Sequence, residues 1–501
     1  MNCSVVLMLT SLCAGQVDLS GKDDDYNQWK QALGVTAATA PAAITRPPGF
    51  VVELLRTSQG DEGSWISCIF DPQGHLLVSR EKTGVLRMKL VPIADDDQDL
   101  RSAKQGKGSP RDGEGVASVE VVENTLLECR GLLWAYDALY ANANNSKGLY
   151  RLRDTNGDGT FDEVTLLRKT PGNVGHGRND LALGPDGRIY SIHGDDVLLP
   201  EDDTPTASPV AHWHDARLFP CEWDRNLFNS YMRPPGGHLI RTDREGKTWE
   251  VVASGMRNPY GIDFSPEGEA FTFDADMEWD VGVPWYRPTR VLHLVSGSDW
   301  GWRVGTGPWP AWYPDSLPAA VDVGLGSPTA VKFGTRTKYP EAWRRALFIA
   351  DWAYGRILAV QLKPQGAGYV ATEQPFLAGR PLNVTDLEVG PDGHLYFITG
   401  GRGTVSGLYR VRYTGAGPNS ENGEKKSTAS ADSSVADDAT RVADTEVADK
   451  ASVAARQLRK RLEAYHGRQD SRAMEQAWPH LDSSDLWVRH AARIAVESQP
   501  W

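Results

Sequence analysis

The spacing of two side chains sets the first chemistry to look for. His176 and Asp195 stand equidistant from the turn Pro185–Asp186 in GHGRNDLALGPDGRIYSIHGD (175–195). In a two-stranded hairpin such residues face each other, give or take one position for a glycine bulge. A carboxylate against an imidazole fixes its tautomer and raises its basicity, which is how a general base is held ready. The competing explanation is a polar pair that merely caps a hairpin. Arg257 and Asp276 are disposed in the same way about Pro266–Glu267. A second group, Asp154, Asn156, Asp158, Gly159 and Asp162 in DTNGDGTFDE, has oxygens at positions one, three and five and then a turn glycine. That is how a calcium loop begins, and a structural Ca2+ is the expectation. Position twelve is Thr165 rather than Glu, so the segment is not an EF-hand, and a polar hairpin with Asx turns competes with it. His212 and His214, with Asp215, form an isolated H-x-H that reads as a surface loop before it reads as a metal site.

Such residues need a scaffold, and the sequence repeats one. FDPQGHLLVS (70–79), LGPDGRIYSI (183–192), FSPEGEAFTF (264–273) and VGPDGHLYFI (389–398) share a strand–turn–strand pattern. Proline presets the first turn position and glycine supplies the positive φ. GLLWAYDALYA (131–141) and RALFIADWAYGRILAV (345–360) are weaker copies without that turn. Six hairpins over 50–413 predict an all-β chain, a six-bladed β-propeller, with insertions at 91–117, 199–236 and 277–328. In a propeller, equivalent offsets fall on one ring. The open ends of the hairpins therefore place Ser64, His176, Arg257, Asn258 and Asn383, with Glu81, Asp195, Asp276 and Arg402, on one concave face. The tryptophans at 285, 300, 302, 309 and 312 belong to the last insertion, as a stacking wall for sugars or as packing.

The remainder of the 501 residues divides by composition. Residues 4–14 are an apolar run of signal-peptide length, too short to span a bilayer, so 1–15 are read as a signal and the chain as exported, periplasmic or envelope-associated. Residues 16–49 read as a spacer. Residues 414–450 lack aromatics and are rich in Ala, Ser and Asp, the composition of a disordered linker. Residues 451–501 return to helical periodicity, a short HEAT-like segment with Asp485, Val488, Arg489 and Ala492 at the expected helix positions. Net charge is −13, which argues against binding nucleic acid. Five cysteines without CxxC spacing give neither a disulfide framework nor a haem site.

At these residues the chain resembles the glucose/sorbosone dehydrogenase family of soluble quinoprotein propellers. The 175–195 frame matches that family's His and Asp about a G-P-D hairpin, which implies His176 as base for a sugar hydroxyl and Asp195 as its orienter. GMRNPYGIDFSPEG (255–268) is similar to the segment that contacts pyrroloquinoline quinone (PQQ), which implies cofactor contact for Arg257 and Asn258. SDWGWR (298–303) resembles the family's aromatic-Gly-Trp loop. The family's late lysine and paired arginines are replaced here by Ala353 or Tyr354 and by Asn383 and Thr385. ADMEWDVGVPWYRPTRVLHLVSGSDWGWR (275–303), ALFIADWAYGRILAV (346–360) and GGRGTVSGLYRVRY (400–413) resemble the PVC-type membrane-bound dehydrogenases of environmental bacteria, which join such a propeller to HEAT-like repeats. The implied function is oxidation of a sugar or polyol. The alternative is a non-catalytic propeller that binds carbohydrate, or a protein partner through its helical tail.

Overall fold

The computed structural model describes residues 23–92, 113–199, 207–210, 235–275, 277–280, 283–303, 313, 316–415 and 450–500, with the side chains of 277–286 excepted. The apolar run 4–14, Asp276, His212, His214, Asp215, Trp309, Trp312 and the linker residues 416–449 lie outside the described set.

Six four-stranded antiparallel units surround one axis. Blade 1 comprises Trp65–Phe70, Leu76–Arg80, Thr83–Leu90 and Val116–Leu127. Blade 2 comprises Cys129–Ala135, Ala138–Ala143, Gly148–Arg153 and Glu163–Lys169. Blade 3 comprises Arg178–Leu183, Ile189–His193, Gly237–Thr242 and Trp249–Met256, and Ser298–Asp299 pairs parallel with its outer edge. Blade 4 comprises Tyr260–Phe264, Ala270–Asp274, Thr289–Leu294 and Val321–Gly324. Blade 5 comprises Pro328–Phe333, Leu347–Asp351, Arg356–Gln365 and Gly368–Ala378. Blade 6 comprises Val384–Val389, Leu395–Thr399 and Gly407–Tyr413, and takes its outer strand, Phe50–Thr57, from the start of the fold. The first and last strands of the propeller thus pair, which closes the ring and leaves no free edge there.

The four strong repeats are the inner hairpins of blades 1, 3, 4 and 6. Their glycines, Gly74, Gly187, Gly268 and Gly393, all have φ between 71° and 82°, as the turn requires. Blade 2 makes a tighter two-residue turn through Tyr136 and Asp137, both at φ 53°, without a glycine. Two expectations need correction. The copy at 345–360 is not an inner hairpin: it spans the second and third strands of blade 5, whose inner turn instead passes through two short helical pieces, Gly334–Arg336 and Glu341–Arg344. Nor is 277–328 purely an insertion, because it contains the two outer strands of blade 4.

Three partly buried aspartates staple neighbouring blades at the axis. Asp180 accepts from its own Leu181 N and from Ile262 N of blade 4, Asp263 from Phe264 N and from Phe333 N of blade 5, and Asp386 from Leu387 N and from Cys68 N of blade 1. Inner strands have one edge without a ladder partner, and a carboxylate that bridges two such N–H groups satisfies both. Burial pushes the Asp180 carboxyl up to about 6 and raises those of Asp263 and Asp386.

The ends of the chain pack on the ring. Gln28, in the region read as a spacer, is buried. Its amide donates to Trp352 O and Ala353 O, and its carbonyl accepts from Leu382 N. The tail (helical at 450–463, Ala473–Ala477 and Leu486–Glu497) lays Leu462, Trp487, Val488 and Ala491 against Val252, Leu292, Leu294 and Trp300 of blades 3 and 4. Asp485 caps the last helix through Trp487 N and Val488 N, and it also accepts from Ala367 N of blade 5. Buried Arg459 reaches Glu269 at 2.6 Å. Among the described residues, no helix is long and apolar enough to cross a membrane.

Candidate functional site

Strand direction decides which side chains share a face. The inner strands all run toward the inner turns, so the connections entering them and the loops leaving the second strands lie at the opposite, upper rim. His176 enters blade 3 there, Asp195 leaves its second strand there, and Arg257–Asn258 enter blade 4 there. The calcium-like loop joins the third and fourth strands of blade 2 and so lies on the lower side. The tail contacts Glu269 and Ser296, also on the lower side.

His176 and Asp195 meet as their spacing requires: Nδ1 lies 2.7 Å from Asp195 Oδ1. Register runs Leu183 opposite Ile189 near the turn and, after a bulge between Arg178 and Leu181, Arg178 opposite His193, and this one-residue shift is what brings His176 opposite Asp195. Asp195 is wholly buried, whereas the His176 side chain is 22% exposed. A charge with no access to water must be satisfied by protein, and Asp195 is. Its Oδ2 accepts from Trp302 Nε1 at 2.6 Å, and its backbone N–H donates to Arg257 O. With Nδ1–H donated to a fixed carboxylate, the His176 lone pair resides on Nε2.

The loop carrying His176 is held from behind. The Arg178 guanidinium, fully buried, donates to Thr170 Oγ1, Thr170 O, Pro171 O and Asn173 O. Burial lowers its pKa to about 10, still a cation at neutral pH. Arg130 donates to Val174 O and Gly175 O. Asp196 accepts from His176 N at 2.8 Å. The close approach of strands demands Gly194: a Cβ there would lie 2.6 Å from both His176 O and Asn258 Oδ1.

Arg257 and Asn258 adjoin this pair. Both backbone N–H groups donate to Asp274, whose carboxyl burial pushes up and Arg290 pulls down. Asn258 Oδ1 accepts from Asn179 Nδ2 at 3.0 Å. His176, Asp195, Arg257 and Asn258 are therefore one cluster. The acidic partner that the structure shows for the Arg257 backbone is Asp274; Asp276 lies outside the described residues.

Asp154, Asn156, Asp158 and Asp162 form a separate feature. Asp154 accepts from Gly157 N and Gly159 N, Asp158 from Thr160 N, and Asp162 from Thr155 N. These are Asx-type turns, and the Thr160 hydroxyl on Asp158 and the Thr155 hydroxyl on Asp162 hold both carboxyls low. Among the described residues, no three His, Cys, Asp or Glu side chains gather as a metal ligand set.

The rim at blades 5 and 6 is built differently. Ala353, Asn383 and Thr385 are buried. Asn383 donates to Gly400 O and Thr404 Oγ1, and Thr385 to Trp65 O. The Gln28 amide covers the Ala353 and Leu382 backbone, while Arg402 lies over the rings of Trp29 and Trp352, 5.1 Å from each. PQQ is a tricarboxylate, and Ala353, Asn383 and Thr385 offer it neither a cation nor a free polar group, so these three positions do not fit it, and Arg402 is stacked on the two indoles.

Sequence reasoning missed the Arg178 clamp and Asn179. Arg178 sits two residues from His176 and reads as any charged residue until its four acceptors are seen. Trp302 belongs to the SDWGWR loop and to the tryptophan cluster, neither of which points to Asp195. Its N–H finds Asp195 because the 298–303 segment climbs the outer edge of blade 3.

No family model matches the sequence, and no curated protein does. Solved structures do. The iodide structure of a Carbohydrate-Active Enzymes Family AA12 protein from Trichoderma reesei is 15% identical and superposes with a TM-score of 0.52, covering 76% of this chain and 99% of its own. The calcium structure of the Family AA12 protein gives 14% identity, a TM-score of 0.52 and coverage of 75% and 98%. The PQQ-bound aldose sugar dehydrogenase of Streptomyces coelicolor is 18% identical, with a TM-score of 0.47 and coverage of 74% and 100%. What the chain shares with the Trichoderma protein is the fold, a six-bladed β-propeller.

Proposed function

We propose that the upper rim of this propeller binds a sugar or polyol and that His176 accepts the proton of a substrate hydroxyl. The observation that carries this reading is the relay Trp302–Asp195–His176. A buried carboxylate, itself held by an indole N–H, fixes a partly exposed imidazole in the tautomer that can take a proton. Arg257 and Asn258 flank it, on the side where an oxidised acceptor for the hydride belongs if the reaction is a dehydrogenation. Ala353, Asn383 and Thr385 do not fit PQQ, so no step is assigned to that quinone. The test is a dye-linked oxidation assay over a sugar and polyol panel, with the chain alone and after addition of PQQ and Ca2+. Turnover that His176→Ala abolishes supports the proposal. Sugar binding without turnover under every condition favours the second reading, a carbohydrate-binding propeller without catalysis, which the buried, neutral side chains of Asn383 and Thr385 support.

Export to the periplasm or envelope belongs to the same proposal, resting on the apolar run 4–14. N-terminal sequencing of the mature protein checks it. A protein partner at the tail would meet Met474 and Trp478, 41% and 62% exposed, since the opposite apolar face already packs on the propeller.

A further inference from the structure

The lower side of the ring carries a second cavity, of about 520 Å3, at the seam where blade 6 meets blade 1. That is within the range of about 300–1,000 Å3 of small-molecule sites. Its charge runs against that of the molecule. The chain carries a net −13, yet Lys89, Lys338 and His75 line this cavity. Asp392, the one carboxylate in the lining, is spent: it accepts from Tyr396 Oη at 2.7 Å and from His394 N at 3.1 Å. Asp71, behind the wall, accepts from His75 Nδ1 at 3.1 Å, which fixes the ring with Nε2 as its other nitrogen. Both lysines are exposed, and neither has a side-chain partner among the described residues. Phe70 and Pro391 give the same cavity an apolar wall, with Phe70 set edge-on to Tyr396 at 5.1 Å.

We propose that this seam cavity binds a small organic anion, a carboxylate or phosphate ester on a ring-sized body, with Lys89 and Lys338 on the anionic group and Phe70 and Pro391 against the body. Two lysines on the lining of one cavity give it a positive potential that a bound anion meets. An apolar wall adds contact area that an inorganic ion cannot use. Lys89 belongs to blade 1, while Lys338 is tied to blade 6 by Lys338 N donating to Gly393 O. A bound anion therefore bridges neighbouring blades and raises the resistance of the ring to unfolding. The site is on the side of the ring opposite His176, so it stands apart from the sugar proposal.

The experiment is calorimetric titration of the full chain at low ionic strength with phenyl phosphate, benzoate and inorganic phosphate, paired with thermal melts. Saturable 1:1 binding of phenyl phosphate or benzoate is expected, at least tenfold tighter than inorganic phosphate and accompanied by a higher Tm. The double substitution Lys89→Gln/Lys338→Gln is expected to weaken it at least tenfold, and Lys89→Arg/Lys338→Arg to restore it. Both lysines are exposed, so the variants keep the fold. Absence of saturable binding by all three probes overturns the proposal, as does undiminished binding by the glutamine variant. Preference for phenyl phosphate over benzoate identifies a phosphate ester as the ligand class, and the reverse identifies a carboxylate.

Discussion

The two halves of the upper rim solve the same problem with opposite chemistry. At blades 3 and 4, charged groups are buried in order to hold other groups in place: Arg178 grips the 170–173 loop, Asp195 orients His176, and Trp302 completes Asp195. At blades 5 and 6 neutral side chains stand beside a closed ion pair: Asn383 and Thr385 are bonded to backbone with Gln28 laid across, and buried Asp351 is paired with Arg356 at 2.8 Å. A buried charge is expensive unless every lone pair or proton finds a partner. Such a network persists where position matters to chemistry, whereas an amide or hydroxyl costs less where only closure of the ring is needed. The difference leaves a partly exposed, oriented imidazole on one half and closed hydrogen-bonded packing on the other.

The largest effect should come from breaking the charged side. Arg178→Met strips four acceptors of their donor, and a loss of about 3–5 kcal/mol in denaturant unfolding is expected. Asn383→Ala removes two hydrogen bonds on the neutral side and should cost only about 1–2 kcal/mol; equal losses would erase the contrast. His176→Ala separates position from stability, leaving unfolding within about 1 kcal/mol of the parent while ending any turnover found. Asp195→Asn should lower that turnover on the order of 10²–10⁴-fold, because the amide no longer compels the Nδ1–H tautomer. Gln28→Ala opens the neutral side and is expected to cost about 1–2 kcal/mol without altering turnover.

A pH prediction concerns the lower side. Burial pushes His293 and His466, at the tail interface, down to about 4. Their unfolded forms protonate near 6.5, so the unfolded state binds protons first as pH falls. The stability these neutral imidazoles permit is present above about 6.5 and is lost on descending toward 4. The tail should therefore become protease-sensitive in that window, before the upper rim does. Asp180, raised to about 6, acts in the opposite sense, favouring the folded ring as pH drops through the same interval. The smallest effect is at Asp154–Asp162: if the loop holds Ca2+, chelator lowers the melting temperature, and an unshifted transition assigns its carboxylates to Asx turns alone.

How much of this was legible in advance follows from where the determining interactions lie in sequence. Strand pairs, Pro-Gly turns and the His176–Asp195 encounter are local, set by period-two alternation and by glycines at positive φ. They could be read without coordinates. The blade 5 hairpin was misplaced because its inner turn is helical and carries no Pro-Gly signal. The region read as a spacer turned out to contribute Gln28, whose partners lie more than three hundred residues away. Trp302 and Asp195 are 107 residues apart. By itself, the sequence determined the repeated hairpin, the propeller and the identity of the imidazole–carboxylate pair, because each depends on neighbours along the chain. Only the tertiary structure decided what supports that pair, what fills the opposite rim and where the tail docks, because closing a ring brings together groups that no local pattern relates.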